Sequence, residues 1–495
     1  MRTWILAAAI LWCAGSIAAA DERSRPEESA SDPPPAETSA PDPPTPTPRA
    51  RWSEDWSVLR DPAPLTEDPP AAARLLGPLK YIPLSSSGDF YLSLGGEYRF
   101  AYELYEEADA GVSDIGFQDA PQHRVALHTD LHLTSRWRVF AELGYAAVHG
   151  REGGAKAVDE ADMYVWQLFG DFRQPVGDHG RIVLRAGRQL IETANVFITA
   201  GEAHNIRLVY NGGRVAWIKG DFVPFEAFAA EYVDYADGAF DMSGNGEHFW
   251  GLRAGVQVER LESDLHFLYL GWELKDRQFE QGGAERHDET RHTLLLWLNR
   301  PLTGDRQWGL DYYLAYQLGE YDDPGTSDIR VFAAFGGVRY AILPRSSTPI
   351  VGLKIGYFSG DRDPDDGELN TFYDHVFGTP YFGYARDIMP FNLIHLQPSL
   401  GYRFSDRLLV GASHDLLWRA QEGDAYYNSA NGILVRADVS RSRWLGQQTQ
   451  LMARYRPIDQ IIISTYWSHL FAGGVIEDAR GGDRDYFHIG INLFL

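Results

Sequence analysis

Thirteen basic side chains fall on the polar face of segments whose other face is apolar: Arg99, Arg124, Arg138, Arg173, Arg181, Arg185, Arg253, Arg339, Lys354, Arg403, Arg419, Arg454 and Arg456. Eight acids share that face: Glu97, Glu103, Asp130, Glu142, Asp171, Glu259, Asp311 and Asp415. A guanidinium fork matches a carboxylate bidentately. An arginine surplus along one surface therefore suits holding an anion and handing it on, rather than making or breaking bonds. A basic, water-filled path concentrates anions and lowers the barrier to their passage; the same charges paired across strands would only keep the path wet. His128, His132 and His395 lie on this face, but no serine or carboxylate is spaced to form a hydrolytic set with them, so the chain reads as a non-enzyme.

Such a face requires strands. From Phe90 onward the hydrophobic period is two: Phe90, Leu92, Leu94, Tyr98, Phe100, Tyr102 and Leu104 alternate with Ser93, Glu97, Arg99 and Glu103. The pattern recurs through Trp250-Leu252-Ala254-Val256-Val258, Trp308-Leu310-Tyr312-Leu314-Tyr316-Leu318, and Ile394-Leu396-Leu400-Tyr402-Phe404. Strands are expected at 90–104, 122–134, 136–149, 160–174, 180–190, 205–218, 221–235, 248–260, 263–275, 289–299, 307–320, 328–342, 349–360, 391–404, 407–420, 446–456, 460–471 and 485–495. They reach or exceed the roughly 9–11 residues that a tilted strand needs to cross a bilayer, and exceed the usual five or six of a soluble sheet. Their links alternate between short, such as 219–220 and 405–406, and long, such as 361–390 and 421–445. The fold class is all-β: a transmembrane antiparallel β-barrel of about 18 strands, with short periplasmic turns and long extracellular loops. Residues 433–439 also alternate, but an even strand count places them in a loop.

No run of eighteen apolar residues follows residue 20, so spanning must fall to a closed barrel, whose backbone groups pair with one another. Residues 1–20 read as a cleaved signal peptide, with Arg2, an apolar stretch from Ile5 to Ile17, and Ala18-Ala19-Ala20 before Asp21. The one cysteine, Cys13, lies within it, which leaves no disulfide or thiol chemistry to the mature chain. Residues 21–48, rich in Pro, Ser, Asp and Glu, read as a disordered linker, and 49–89 as an N-terminal periplasmic segment anchored by Trp52, Trp56 and Tyr81. The barrel occupies 90–495. The net charge of −24 argues against nucleic acid as a partner. That acidity sits in the long outer loops and the tail, leaving the strands and short turns near neutral.

Asp361, Asp363 and Asp365 open a segment resembling a calcium loop. Asp366 stands where the obligatory glycine belongs and Phe372 where the bidentate glutamate belongs, so it is not an EF-hand. These residues are weak Ca²⁺ candidates, and a solvated loop is the competing reading; no other cofactor is implied. Tyr381, Phe382 and Tyr384 beyond it are placed at the outer mouth, either stacking on sugar rings or forming an interfacial girdle.

Several stretches resemble the alginate export family of outer-membrane barrels. They are Trp52-Ser53-Glu54-Asp55-Trp56 with Leu59-Arg60-Asp61, then Leu79-Lys80-Tyr81-Ile82-Pro83-Leu84, and Tyr91-Leu92-Ser93-Leu94-Gly95-Gly96-Glu97-Tyr98-Arg99. Further matches are Leu184-Arg185-Ala186-Gly187-Arg188-Gln189, residues 360–367, Tyr381-Phe382-Gly383-Tyr384 and Leu445-Gly446-Gln447-Gln448. Gln448 and Gln450 stand where the family pattern often carries acids. The resemblance implies an eighteen-stranded barrel whose arginine-rich conduit lets an anionic exopolysaccharide, an alginate-like polyuronate, leave the cell passively. The expected conduit residues are Arg99, Arg185, Arg188, Arg253, Arg339, Arg403, Arg454 and Arg456. Arg185 and Arg188 lie on opposite faces by alternation, so both can face water only if the strand bulges at Gly187. The alternative function is a general or anion-selective porin for small solutes. Expected partners are the anionic passenger, outer-membrane lipid and lipopolysaccharide, and a periplasmic export partner. The expected state is a monomer in a Gram-negative outer membrane.

Overall fold

The computed structural model describes residues 51–54, 56–60, 71–113, 115–152, 154–155, 159–177, 180–193, 205–220, 222–233, 244–281, 283, 285–302, 307–345, 347–374, 381–428 and 432–495. The expected signal peptide and linker, 1–20 and 21–48, lie outside the described residues. Eighteen long strands form the barrel. They are β1 (Tyr91–Tyr105), β2 (Gln118–His132), β3 (Trp137–Val148), β4 (Ala161–Val176), β5 (Gly180–Gln189) and β6 (Tyr210–Lys219). Next come β7 (Phe222–Tyr232), β8 (His248–Val258), β9 (Ser263–Arg277), β10 (His287–Arg300), β11 (Trp308–Asp323) and β12 (Thr326–Ala341). The last six are β13 (Thr348–Phe358), β14 (Leu393–Ser405), β15 (Leu408–Arg419), β16 (Trp444–Ile458), β17 (Ile461–Ala472) and β18 (Arg484–Phe494).

Each strand pairs antiparallel with its sequence neighbours, and β1 closes the cylinder on β18 from Glu97↔Phe494 to Tyr105↔Tyr486. Closure leaves no edge strand, the condition a sheet must meet in lipid. The alternation sends Leu127, Leu143, Leu252, Leu314 and Leu400 outward, all exposed. A large apolar surface of this kind would be a liability in water and is the expected face toward acyl chains. One link breaks the short–long rhythm: Asp323 pairs with Thr326, so only Pro324 and Gly325 join β11 to β12 on the outer side. Residues 433–435 pair with Tyr426–Tyr427 in a small sheet apart from the barrel, so they belong to an outer loop as expected.

The N-terminal segment is not a loose approach to the barrel. It folds into turns at Arg51–Ser53 and Ser57–Arg60 and a helix α1 (Ala71–Lys80), then lays Ile82–Pro83 beside the start of β1.

Candidate functional site

Alternation and register place three different surfaces inside the barrel. On β1–β8 the inner wall is a lattice of compensated charges. Glu97 accepts from Arg124 (Nε, 3.0 Å) and pairs with Arg207, which stands just before β6 and also reaches Glu142 at 3.8 Å. Arg138 bridges Asp130 at 2.7 Å and Asp171 at 2.8 Å. Arg185 grips the same Asp171 with Nε at 2.7 Å and Nη2 at 3.0 Å. Arg253 and Arg214 share Glu226 at 3.4 and 2.6 Å. Arg99 donates to Gln122 and to the loop residue Asn205, at 3.4 and 3.2 Å. Three expected conduit residues, Arg99, Arg185 and Arg253, thus sit on the lumen wall already engaged. A cation held by a fixed anion is worth less to a passing one.

Arg188 behaves differently from Arg185. Gly187 adopts φ +127°, where any Cβ would lie 2.2 Å from the Leu168 carbonyl oxygen, but β5 keeps unbroken register with β4 and β6 through it, so the expected bulge is not formed. Arg188 is almost fully buried, donating to Asn211 at 3.0 Å and to the Val165 carbonyl at 3.1 Å. It braces the wall and does not line water.

Much of the inner face of β9–β13 is apolar and aromatic: Leu268, Leu270, Leu295, Trp297, Tyr313, Ala315, Phe335 and Phe358 are all buried. They share one core cluster with Phe372, Tyr373, Tyr381, Phe382 and Phe391 of the outer link between β13 and β14, whose described residues 359–374 and 381–392 fold back into the barrel. Tyr381 packs edge-on against Phe335 at 5.7 Å, and Phe382 against Phe358 at 5.8 Å. These two aromatics are therefore not at the outer mouth, as expected from sequence, but inside, buried against β12 and the outer end of β13. Tyr384 stacks on Tyr466 of β17 with centroids 3.4 Å apart. Polar bonds pin the segment from every side. Lys354 donates to the Tyr381 carbonyl at 2.9 Å, Gln448 and Gln450 to that of Phe382 at 3.1 and 2.9 Å, and Arg291 to that of Thr371 at 3.1 Å. Arg386 pairs with Glu103 at 2.8 Å, and Arg484 donates to Asp387 at 2.7 Å.

The third surface is basic and open. Arg339, Arg403 and Arg454 lie near the turn-side ends of β12, β14 and β16, and among the described residues they make no ion pair or side-chain hydrogen bond. Arg456 is drawn to its own turn, 3.6 Å from Asp459. Arg339 and Arg403 line a cavity of about 320 Å³ that also takes in Lys354, Tyr384, Gln397, Gln450 and Tyr466. Across the barrel, Arg181 at the start of β5 is likewise unpaired among the described residues. The outer half of the lumen is thus filled by inward loops, and the periplasmic half presents arginines facing water.

The sequence of residues 90–489 matches the family described as alginate export. The chain belongs to the alginate export family. With the closed barrel around it, this makes the protein an outer-membrane channel. Similar solved structures include OccAB1 of Acinetobacter baumannii, with 12% identity and a TM-score of 0.51 over 82% of this chain and 96% of that one. OpdK of Pseudomonas aeruginosa, solved with vanillate, has 11% identity and a TM-score of 0.52 over 82% of this chain and 98% of that one. At such identities the likeness is one of fold. No curated protein matches the chain.

Several of the residues that organise the lumen of this alginate export family member are not among the conduit arginines read from alternation. Arg151, Arg207 and Arg386 come from loops, where no period marks a face. Arg291 follows an alternation that the run Leu294-Leu295-Leu296-Trp297-Leu298 obscures. Arg484 stands at the first residue of β18, where an expected boundary at 485 omits it.

The acidic outer loop turns its carboxylates on itself. Asp361 accepts the Asp363 amide at 3.1 Å, Asp363 that of Asp365 at 3.3 Å, and Asp366 that of Glu368 at 2.9 Å. Among the described residues no group of three or more His, Cys, Asp or Glu is arranged to hold a metal ion. Asp361 donates its own amide to Asp424 at 2.9 Å, joining the stretch after β13 to the stretch after β15, and Thr371 and Tyr427 donate to the same carboxylate at 2.6 Å each. Burial, with Asp424 beside it, pushes the Asp361 carboxyl up to about 7; burial also raises Asp424 and Glu280. An acid whose docked pKa lies above its free value near 4 takes up a proton on docking, so docking strengthens as pH falls from 7 toward 4 and is flat above 7. Limited proteolysis of the outer loops should accordingly run slower at pH 5 than at pH 7.5. Equal rates would show that the pair does not control the loop.

Proposed function

We propose that the protein is a passive channel for an anionic polysaccharide of the polyuronate class, guided on the periplasmic side by arginines. One observation carries this reading: Arg339, Arg403 and Arg454 face the lumen with no counter-charge among the described residues, while the charges of the β1–β8 wall are largely matched. Unpaired guanidiniums on one wall offer successive bidentate seats for carboxylates, each exposed enough to release its guest. Such a path needs no energy source, only a gradient. Family membership supports export as the direction. The small-solute reading rests on the size of the cavities, about 320 and 550 Å³, which suit single small molecules more than a chain.

Reversal potentials across a planar bilayer with a KCl gradient test the proposal. The parent should favour chloride, and the Arg339→Ala/Arg403→Ala/Arg454→Ala variant should move close to no preference. Polyuronate added to the periplasmic side should block the parent's current, and the variant should be blocked far less. An unchanged reversal potential in the variant would remove the guidance role. Block only by small carboxylates would favour the solute reading.

A further inference from the structure

The N-terminal segment places five buried side chains at the periplasmic end of the lumen, Arg51, Trp52, Glu54, Trp56 and Lys80. Arg51 donates to the Gly96 carbonyl of β1 at 3.1 Å and to the main-chain oxygen of Leu495, just past β18. Lys80 donates to the same Leu495 oxygen at 2.7 Å. Glu54 balances both cations, 2.8 Å from Arg51 and 3.6 Å from Lys80, and accepts from the Trp56 indole at 3.0 Å. These groups lie on the inner side of the seam: the Arg51 guanidinium is 5.5 Å from the ring centre of inward-facing Phe494, and a Cβ on Gly95 would meet Lys80 Nζ.

From this anchorage Trp52 extends across to the opposite strands. It joins a buried cluster with Phe140 and Phe169 and lies 5.7 Å from the Arg185 guanidinium. It also lines a cavity of about 550 Å³ with Arg138, Arg173, Arg181, Arg185 and Arg214. One short stretch of chain therefore ties the β18–β1 seam to β3–β6 from within the lumen. No repeating strand pattern requires that tie. Its hydrogen bonds go to main-chain oxygens at the barrel's closing register and its tip covers arginines. A segment serving only as a tether would need neither.

We propose that residues 51–54 and 56–60, together with Lys80, form a strap seated in the periplasmic mouth, anchored by Arg51 and Lys80, whose Trp52 tip narrows the passage and covers the Arg181–Arg185 wall. The inference rests on the channel reading above and adds a moving part to it. With the strap lifted, that wall would present its arginines to the periplasm, opposite Arg339, Arg403 and Arg454, so both sides of the vestibule would be basic.

Single-channel recording of the full-length protein tests the strap with two variants. Trp52→Ala trims the tip and leaves the anchors in place; Arg51→Ala/Lys80→Ala releases the anchors and leaves the tip. Each should raise unitary conductance about two-fold over the parent, since the narrowest aqueous section dominates resistance. The anchor variant should also make the peptide bonds after Arg60 and Lys80 more open to protease added from the periplasmic side. Heat-modifiable migration on a gel confirms that each barrel has folded, and Trp52→Ala keeps the test open if the anchor variant does not fold. Parent-like conductance in a folded Trp52→Ala overturns the strap while the parent's anion preference leaves the channel reading standing. Absence of current in the parent and both variants overturns both.

Discussion

Replacing residues 361–391 with a short Gly-Ser turn should raise the current through each open channel several-fold over the parent. The graft is structurally mild, because β13 and β14 are neighbours whose last pair on the outer side is Phe358↔Leu393. What it removes is the material that fills the lumen: Phe372, Tyr373, Tyr381, Phe382 and Phe391, all buried against the inner faces of β9–β15. It also releases Glu103 from Arg386, Arg484 from Asp387, and Gln448 and Gln450 from the Phe382 carbonyl. Those groups then meet water in a wide channel, so their desolvation cost is relieved rather than left uncompensated. Glu103 keeps Arg151 at 3.1 Å and Gln122 at 2.8 Å. The current should rise while chloride preference falls, since a wider lumen holds its arginines farther from each passing ion. A current equal to the parent's would mean that ions pass by a route the segment does not obstruct.

The same segment explains what was legible in the residues and what was not. Strands were readable because lipid enforces the outward half of the alternation: β1, β8, β11 and β14 carry apolar residues at every second position, with breaks such as Gly96 and Pro398. The inward half obeys a weaker rule. Where water or charge lines the lumen, as along much of β1–β5, charged and polar residues recur on the inner face and make it evident. Where Phe372, Tyr373, Tyr381, Phe382 and Phe391 join the wall in one core cluster, Leu268, Leu270, Trp272 and Leu295 point inward too, and the sequence is apolar on both faces. The expectation of a continuous charged path came from extending the first rule over the whole circumference.

Partnership was the less legible part. Arg185 and Arg339 look alike as inward arginines on alternating strands. Arg185 shares Asp171 with Arg138, whereas Arg339 opposes Gly352 and finds no anion. Only register separates them, and register is a relation between strands that one strand's composition does not contain. The longest-range case is Arg207, which meets Glu97 across 110 positions of sequence from a loop with no periodic signal.

That contact supports the second large prediction. Glu97→Ala should destabilise the barrel by about 3–5 kcal/mol, the scale expected when one member of a buried ionic group is removed and its partners remain. Both partners are deeply buried: Arg124 and Arg207 expose 1% and 0% of their surface, and each also stacks over the Trp166 ring, at 5.7 and 5.1 Å. With Glu97 gone, Arg207 loses its close ion pair to β1 and keeps the longer contact to Glu142 at 3.8 Å. Chemical unfolding in detergent should show the loss, and Glu97→Ala/Arg207→Ala should recover part of it because one uncompensated cation is removed with the anion. If the double variant is no more stable than the single one, the cost arises from packing at β1 rather than from charge, and the matched wall is not what keeps that side of the lumen inert.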